Sequence, residues 1–187
     1  MARIRSPAPP LAPDTLERLA LRYVERFATT RAKLATYLAR KIRERGWGED
    51  MDPPAIDALV ERIAALGYID DRAFGEARAA ALTRRGFGAR RVAMALQQAG
   101  VGGEDAVGIV PQAEEKAVES ALSFARRKRI GPYAREAAER PGREKHMAAM
   151  IRAGHAPALS RRIAAMQPLS HSGQDIDIEA LLLHSLY

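Results

Sequence analysis

The chain has 187 residues, of which 47% are hydrophobic and only 5% aromatic, and its formal net charge is +7. This length suffices for one modest domain or for several small helical units that share a core. No cysteine is present, so disulfide bonds, thiolate catalysis and cysteine-ligated zinc are excluded. The basic balance indicates an acidic partner: nucleic acid, an anionic membrane or an acidic protein surface.

The N-terminal residues 1–13 are predicted to form a disordered lead. They contain four prolines and no apolar run, so they do not resemble a signal peptide. No stretch of the sequence approaches the roughly 18–20 consecutive apolar residues that a membrane-spanning helix needs. We therefore expect a soluble, cytoplasmic protein that acts as a monomer and does not contact a membrane.

The first two helices are predicted from the spacing of apolar residues and from residues that typically begin or end a helix. Apolar side chains recur at helical spacing over residues 16–27. Thr29 and Thr30 are suited to cap a second helix, and Gly46 ends it because glycine enters the left-handed conformation without steric cost. Trp47 follows this glycine and is predicted to fill the core.

Two more helices are predicted in the next part of the chain. Asp52, with the two prolines after it, is predicted to begin one helix, which ends at Gly67. Asp70 and Asp71 indicate the N-cap of the next helix rather than a pair of catalytic carboxylates. Tyr68, like Trp47, is predicted to fill the core.

The rest of the chain also shows only helical patterns. A short helix is predicted over residues 90–99, a long one after Pro111, and two short ones over residues 143–153 and 156–166. Residues that favour strands are scarce, and no segment alternates apolar and polar residues for long. The predicted fold class is therefore all-α.

An internal repeat indicates the domain organisation. Two apolar residues four positions apart, followed four positions later by glycine, recur with glycines 54 residues apart. The copies are Leu38, Ile42 and Gly46; Val92, Leu96 and Gly100; and a weaker one at His146, Met150 and Gly154. Unless alanine-rich helices resemble one another by chance, this period predicts tandem three-helix repeats, about nine helices in all, in an elongated, curved array. The predicted division is a lead over 1–13, repeats over 14–69, 70–110 and 111–168, and an acidic and apolar C-terminal tail over 169–187.

Three clusters of basic residues are the candidate binding sites. They are Arg31, Lys33, Arg40 and Lys41; Arg84, Arg85, Arg90 and Arg91; and Arg126, Arg127, Lys128 and Arg129. Cations grouped in this way suit contacts with nucleic-acid phosphates. The alternative is a solvated helix face and, for the third cluster, a favourable position at a helix C-terminus. The second cluster flanks the turn Gly86-Phe87-Gly88, which can bring its two arginine pairs close together.

No catalytic, metal or cofactor site is predicted. The Gly-Phe-Gly turn follows a helix rather than a strand and lacks the third glycine of a dinucleotide-binding loop. The four histidines show no metal-ligand spacing, and the sequence contains neither a Gly-x-Ser-x-Gly motif nor a Walker loop. The low aromatic content argues against recognition of single strands by base stacking.

Four segments between residue 16 and about residue 100 carry a family resemblance. They are Ala20–Tyr23, Thr30–Leu34 with Leu38, Ile63–Phe74 and Arg85–Val92. In their order and spacing these segments resemble the RecX family of regulatory proteins. The stretch from Leu38 to Gly46 departs from the family, because it is longer and more charged than the family's usual Lys/Arg-Gly stop. Beyond residue 100 the resemblance weakens.

The resemblance implies tandem three-helix repeats and a regulatory protein without catalytic residues or a cofactor. RecX-like proteins bind along the groove of the RecA–DNA filament and inhibit ATP hydrolysis, strand exchange and the coprotease role of RecA. The implied partners are the RecA filament and the phosphate backbone of single-stranded DNA, with double-stranded DNA as a further candidate. Two alternatives remain open: a free-standing nucleic-acid-binding protein that uses the helix around Arg90 for recognition, and a helical scaffold that binds no nucleic acid.

Overall fold

The computed structural model of the chain describes residues 9–169 and Leu182. These residues form two short 3-10 helices and nine α-helices: α1 (Pro13–Arg26), α2 (Arg31–Arg45), α3 (Ile56–Ala65), α4 (Asp71–Arg84), α5 (Ala89–Ala99), α6 (Ile109–Glu115), α7 (Ala117–Lys128), α8 (Arg140–Arg152) and α9 (Pro157–Ala165). Within this part of the chain there is no β-strand, and the prediction of an all-α fold is confirmed. None of the helices described is long and apolar enough to span a membrane.

The described residues pack into two compact units. Unit 1 consists of the residues up to Phe74 together with Ala99–Val101, and unit 2 consists of Gly75–Gln98 and the residues from Gly102 onward. The division into three repeats stays a prediction. Its second boundary, after residue 110, falls inside α6.

Each unit has its own apolar core. In unit 1, Leu34 and Leu38 of α2 pack with Ile63 of α3, and all three are at most 1% exposed. In unit 2, Met150 of α8 and Ile163 of α9 are fully buried in the second cluster. These side chains lie on the apolar faces that helical spacing places on one side of a helix.

Residues 9–13 do not belong to a disordered lead. Leu11 is completely buried in the core of unit 1, its N–H donates to the Gly46 carbonyl at 2.9 Å, and its own carbonyl accepts from the Gly48 N–H at 3.1 Å. A single β-bridge joins Leu11 to Trp47. The prediction of disorder is therefore wrong for these residues, because one apolar side chain among the prolines finds a place in the core.

The other predictions on the two ends of the chain lie mostly outside the described residues. The residues outside the described part are 1–8 of the lead and 170–181 and 183–187 of the tail. Leu182 is described: it is 2% exposed and packs in the core of unit 2.

The predicted helix ends are partly confirmed. The Thr30 hydroxyl caps α2 by accepting from the Lys33 N–H at 3.2 Å, and Gly46 ends that helix with a φ of +81°. The Asp70 carboxylate accepts from the Ala73 N–H at 2.8 Å and so caps α4. Asp52 does not cap α3, which begins later, at Ile56, without a capping side chain.

The repeat pattern corresponds to helix ends in the structure. Gly46, Gly100 and Gly154 follow α2, α5 and α8, and each has a φ between +73° and +96°. Only glycine adopts this conformation without strain, which explains why the pattern repeats a glycine.

Two other predictions are wrong. Tyr68 does not fill the core, because it is 49% exposed. The chain turns at Gly67, and Ile69, the residue after Tyr68, enters the core instead. The long helix predicted after Pro111 is two helices, because the backbone at Lys116 leaves the helical conformation with a ψ of +18°. Trp47 is half-buried against the core of unit 1.

Candidate nucleic-acid interface

The loop between α4 and α5 lies unusually close to α7 and to the turn between α8 and α9. A Cβ atom at Gly86 would lie 2.8 Å from the backbone nitrogen of Phe124, and one at Gly88 would lie 2.4 Å from the Gly154 carbonyl oxygen. Real side chains do not tolerate such distances, so this loop requires glycine at both positions. The Gly-Phe-Gly turn therefore serves packing within unit 2.

Hydrogen bonds hold this loop against the α8–α9 turn. The Gly88 N–H donates to the Ala153 carbonyl at 3.0 Å, and the Arg90 N–H donates to the Gly154 carbonyl at 3.3 Å. His155 Nε2 lies 3.1 Å from the Gly86 carbonyl oxygen. The start of α5, with its arginines, is thereby positioned by backbone contacts with a segment about 65 residues away.

His155 is the buried polar residue at the centre of these contacts. It is 2% exposed, and its ring lies edge-on to Phe124 with centroids 5.6 Å apart. Burial lowers the pKa of His155, although the hydrogen bond with the Gly86 carbonyl works in the opposite direction. The ring is therefore neutral near pH 7 and carries its proton on Nε2, since a carbonyl oxygen can only accept.

Sequence reasoning considered His155 only as a metal ligand and missed this structural role. The one available signal is its position directly after Gly154, the third glycine of the repeat. Nothing local in the sequence indicates that this histidine is buried, because its neighbours come from the α4–α5 loop and from α7.

The second and third basic clusters meet in unit 2 at Arg85 and Arg127. Arg127 Nη1 donates a hydrogen bond to the Arg85 carbonyl, which joins the C-terminal end of α7 to the α4–α5 loop. We call the two clusters together the basic surface: Arg84, Arg85, Arg90, Arg91, Arg126, Arg127, Lys128 and Arg129. All of these side chains are exposed, and none pairs with a carboxylate in the described part of the chain.

Aromatic rings support several guanidinium groups of this surface. Arg85 lies 5.4 Å from the Phe87 ring centroid, Arg127 lies 5.5 Å from that of Phe124, and Arg126 lies 5.0 Å from that of Tyr133. Cation–π contacts at this distance restrict a side chain without neutralising its charge. The arrangement is suited to an extended anion such as a nucleic-acid backbone.

The first basic cluster, in unit 1, has different surroundings. Arg31 pairs with Glu61 at 3.3 Å and with the buried Asp71 at 3.5 Å. The Asp71 carboxylate also accepts from the Arg31 N–H at 3.0 Å, so it caps α2 from the start of α4. Burial alone would lower the pKa of Arg31, but the Asp71 and Glu61 carboxylates raise it.

The other three residues of this cluster also contact neighbours within unit 1. Arg40 and Lys41 both pair with Glu44, at 3.8 Å and 2.6 Å, and Lys33 Nζ lies 4.4 Å from the Phe74 ring centroid. Chiefly through the hydrogen bond from Lys41, these contacts lower the pKa of Glu44, which stays charged. The first cluster therefore offers less unpaired positive charge than the sequence indicates.

Two known proteins are similar to this chain over most of its length. The regulatory protein RecX of Myxococcus xanthus (strain DK1622) is 30% identical over 166 residues, which cover 84% of this chain and 88% of that protein. The regulatory protein RecX of Agrobacterium fabrum is 28% identical over 151 residues, covering 79% and 80% of the two chains. No family model matches the chain.

Two solved structures share the fold. The crystal structure of RecX from Lactobacillus salivarius superposes with a TM-score of 0.53 at 19% identity, covering 80% of this chain and 92% of that one. A second crystal structure of a regulatory protein RecX gives a TM-score of 0.55 at 19% identity, covering 80% and 70%.

Proposed function

Because the chain belongs to the RecX family of regulatory proteins, we propose that it binds the RecA–DNA filament and inhibits the ATPase, strand-exchange and coprotease activities of RecA. It would act in the cytoplasm as a monomeric binding protein in DNA repair and the SOS response, without a catalytic residue or cofactor of its own. Its effect would come from occupying the groove of the filament.

The basic surface of unit 2 is the part of the chain that we assign to the DNA phosphates of the filament. The contact between Arg127 and the Arg85 carbonyl supports this assignment, because it joins two clusters that are separate in the sequence into one unpaired cationic surface. Charge without paired carboxylates binds phosphate more strongly, since no internal ion pair has to be broken first. In unit 1, Arg31, Arg40 and Lys41 would contribute less.

The test is filament binding and RecA ATPase inhibition by a variant with Arg84, Arg85, Arg90 and Arg91 all replaced by alanine. We expect weaker binding and a smaller salt dependence, with a log–log slope lowered by roughly 0.7–0.9 for each lost phosphate contact. The matched control replaces Arg40 and Lys41 by alanine and should leave the slope nearly unchanged. If the quadruple variant inhibits RecA like the original chain at every salt concentration, the assignment is wrong.

Co-sedimentation separates the proposed function from a free-standing nucleic-acid-binding protein and from a scaffold. In separate experiments the chain is mixed with RecA alone, with single-stranded DNA alone, and with the filament assembled in the presence of a non-hydrolysable nucleotide. A filament regulator pellets most with the filament. A plain DNA-binding protein pellets equally with DNA alone and with the filament, and a scaffold pellets with none of the three.

A further inference from the structure

Helix α1 of unit 1 carries a stripe of arginines that belongs to none of the three basic clusters. Arg18, Arg22 and Arg26 are four residues apart, and all three side chains are exposed. Four residues of α-helix rise about 6 Å, so the three guanidinium groups follow one another along one side of the helix. None of them pairs with a carboxylate in the part of the chain that the structure describes.

Next to this stripe lies a row of three aromatic rings: Phe27, Tyr23 and Tyr37. Tyr37 of α2 stacks on Tyr23 of α1 with centroids 4.2 Å apart, and Tyr23 contacts Phe27 at 5.2 Å. The two tyrosines are half-buried against the core of unit 1, whereas Phe27 is 49% exposed. The row is thus anchored at one end and presents a phenyl ring to solvent at the other.

The charges around the exposed ring are mostly positive. The Arg26 guanidinium lies 5.5 Å from the Phe27 ring centroid, and Arg18 donates only to the Thr15 hydroxyl at 3.2 Å. Glu17 pairs with Arg62 at 2.8 Å, and the other two acidic residues of α1, Asp14 in its first turn and Glu25, are exposed. Arg40 and Lys41 lie near Tyr37 but pair with Glu44, so they support the row rather than add unpaired charge.

We propose that this face of unit 1 binds single-stranded nucleic acid, with a base stacked on Phe27 and the adjoining phosphates on Arg22 and Arg26. An exposed aromatic ring beside a line of cations is the combination that single-strand-binding proteins use, because every base has a stacking face and every nucleotide has a phosphate. A duplex offers the phosphates but keeps its bases stacked inside. An acidic protein surface offers charge but no base to stack.

This inference is independent of the proposed function, since it requires no RecA and involves other residues. The low aromatic content of the sequence argued against base stacking, but the fold gathers three of the few aromatic residues in one place. Tyr23 and Tyr37 act as positioning residues, and only Phe27 would contact the base.

The test is the binding of a fluorescein-labelled oligothymidylate of about 20 nucleotides to the full chain, followed by anisotropy without RecA. Phe27→Ala should weaken binding by about fivefold or more, and Phe27→Trp should retain it. Tyr68→Ala is the matched control, because Tyr68 lies in the same unit and is equally exposed at 49%. Thermal unfolding of each variant checks that the fold is intact.

Four further measurements separate the contribution of base stacking from that of charge and test which kind of strand binds. On an abasic oligonucleotide, Phe27→Ala and the original chain should bind equally, and on duplex DNA the substitution should have no effect. Replacing Arg22 and Arg26 by alanine should lower the log–log salt slope by roughly 0.7 for each lost contact with a single strand. Single-stranded RNA of the same length shows whether the sugar matters.

The proposal is wrong if the original chain fails to bind the oligothymidylate. It is also wrong if Phe27→Ala binds the oligothymidylate as well as the original chain does. If Phe27→Ala and Tyr68→Ala weaken binding of the oligothymidylate equally, the row of aromatic rings has no special role. RecA inhibition by the same variants is measured separately, so that this result does not bear on the basic surface of unit 2.

Discussion

The three basic clusters found in the sequence have different surroundings in the two units. In unit 1, Arg31 pairs with two carboxylates, one of which, Asp71, also caps α2 by accepting from the Arg31 N–H, and Arg40 shares Glu44 with Lys41. In unit 2, the basic surface contains no such ion pair among the described residues, and its arginines lie against aromatic rings or extend into solvent. A count of basic residues in a sequence therefore overestimates the charge that a partner meets, because carboxylates from distant segments can neutralise it.

The largest effect is expected from Gly88→Ala, which tests whether the basic surface depends on the close packing beneath it. The added Cβ would lie 2.4 Å from the Gly154 carbonyl oxygen, and hydrogen bonds hold the backbone on both sides. The free energy of unfolding should fall by about 1–3 kcal/mol, measured by urea denaturation. Gly102→Ala in the same unit meets nothing within 4 Å and should change it by no more than ~0.5 kcal/mol. Equal stability of the two variants would contradict the close packing.

Asp71→Ala should have the next largest effect, because it tests whether Arg31 is structural. The buried Asp71 carboxylate accepts the Arg31 N–H and pairs with its guanidinium. Removing it leaves the start of α2 without this cap and should cost about 1–2 kcal/mol in thermal or urea unfolding. Asp71→Asn keeps an acceptor and should cost less, and Arg91→Ala in unit 2 should cost no more than ~0.5 kcal/mol. If Arg31→Ala and Asp71→Ala are strictly additive, the two side chains do not interact.

Local patterns predicted the helices and several of their ends, but not the contacts between distant segments. Thr30, Gly46 and Asp70 are recognisable because a cap depends on a few neighbouring residues. The role of Asp71 is not recognisable in this way, because its partner Arg31 lies 40 residues earlier in the chain. The same limit applies to Leu11, which resembles part of a proline-rich lead until its place in the core is seen. The basic clusters were found from the sequence, whereas which of them stays unpaired depends on the fold.

The two units should also differ in their response to pH, through His155. Burial lowers the pKa of this side chain from its ordinary value of 6.5, so the unfolded chain binds a proton that the folded chain excludes. The contribution of His155 to stability is therefore complete above pH 6.5 and is lost as the pH falls below it. The loss is at most about 1.4 kcal/mol for each pH unit down to the lowered pKa.

This dependence can be measured as the difference between the original chain and His155→Gln in urea unfolding at pH 7.5 and 5.5. Carboxylates titrate in both proteins, so their effect cancels in the comparison. The original chain should lose more stability than the variant over this interval. The prediction would be contradicted by the same pH dependence in both. The Arg31 ion pairs of unit 1 involve no histidine and should not contribute.

The smallest effect on the free energy of unfolding is expected at Arg129 of unit 2, where the backbone conformation rather than an ion pair is tested. Arg129 ends α7 with a φ of +55° and is the one non-glycine residue with a positive φ among those the structure describes. This conformation costs an ordinary residue roughly 1 kcal/mol, and helices commonly place glycine there. Arg129→Gly should therefore raise the free energy of unfolding by about 0.5 kcal/mol, less than the full cost because glycine also gains freedom in the unfolded chain. Lys128→Gly, one residue earlier and inside the helix, should instead lower it by about 1 kcal/mol.

Filament binding by Arg129→Gly then shows whether the conformational cost at this position accompanies a function. If the Arg129 side chain contacts a phosphate, the variant should bind more weakly, and its log–log salt slope should be lower by roughly 0.7–0.9. A variant that is both more stable and less able to bind is what a strained residue within a binding surface predicts. A variant that is more stable and binds equally well would remove Arg129 from the basic surface and leave the other seven residues of that surface as its cations.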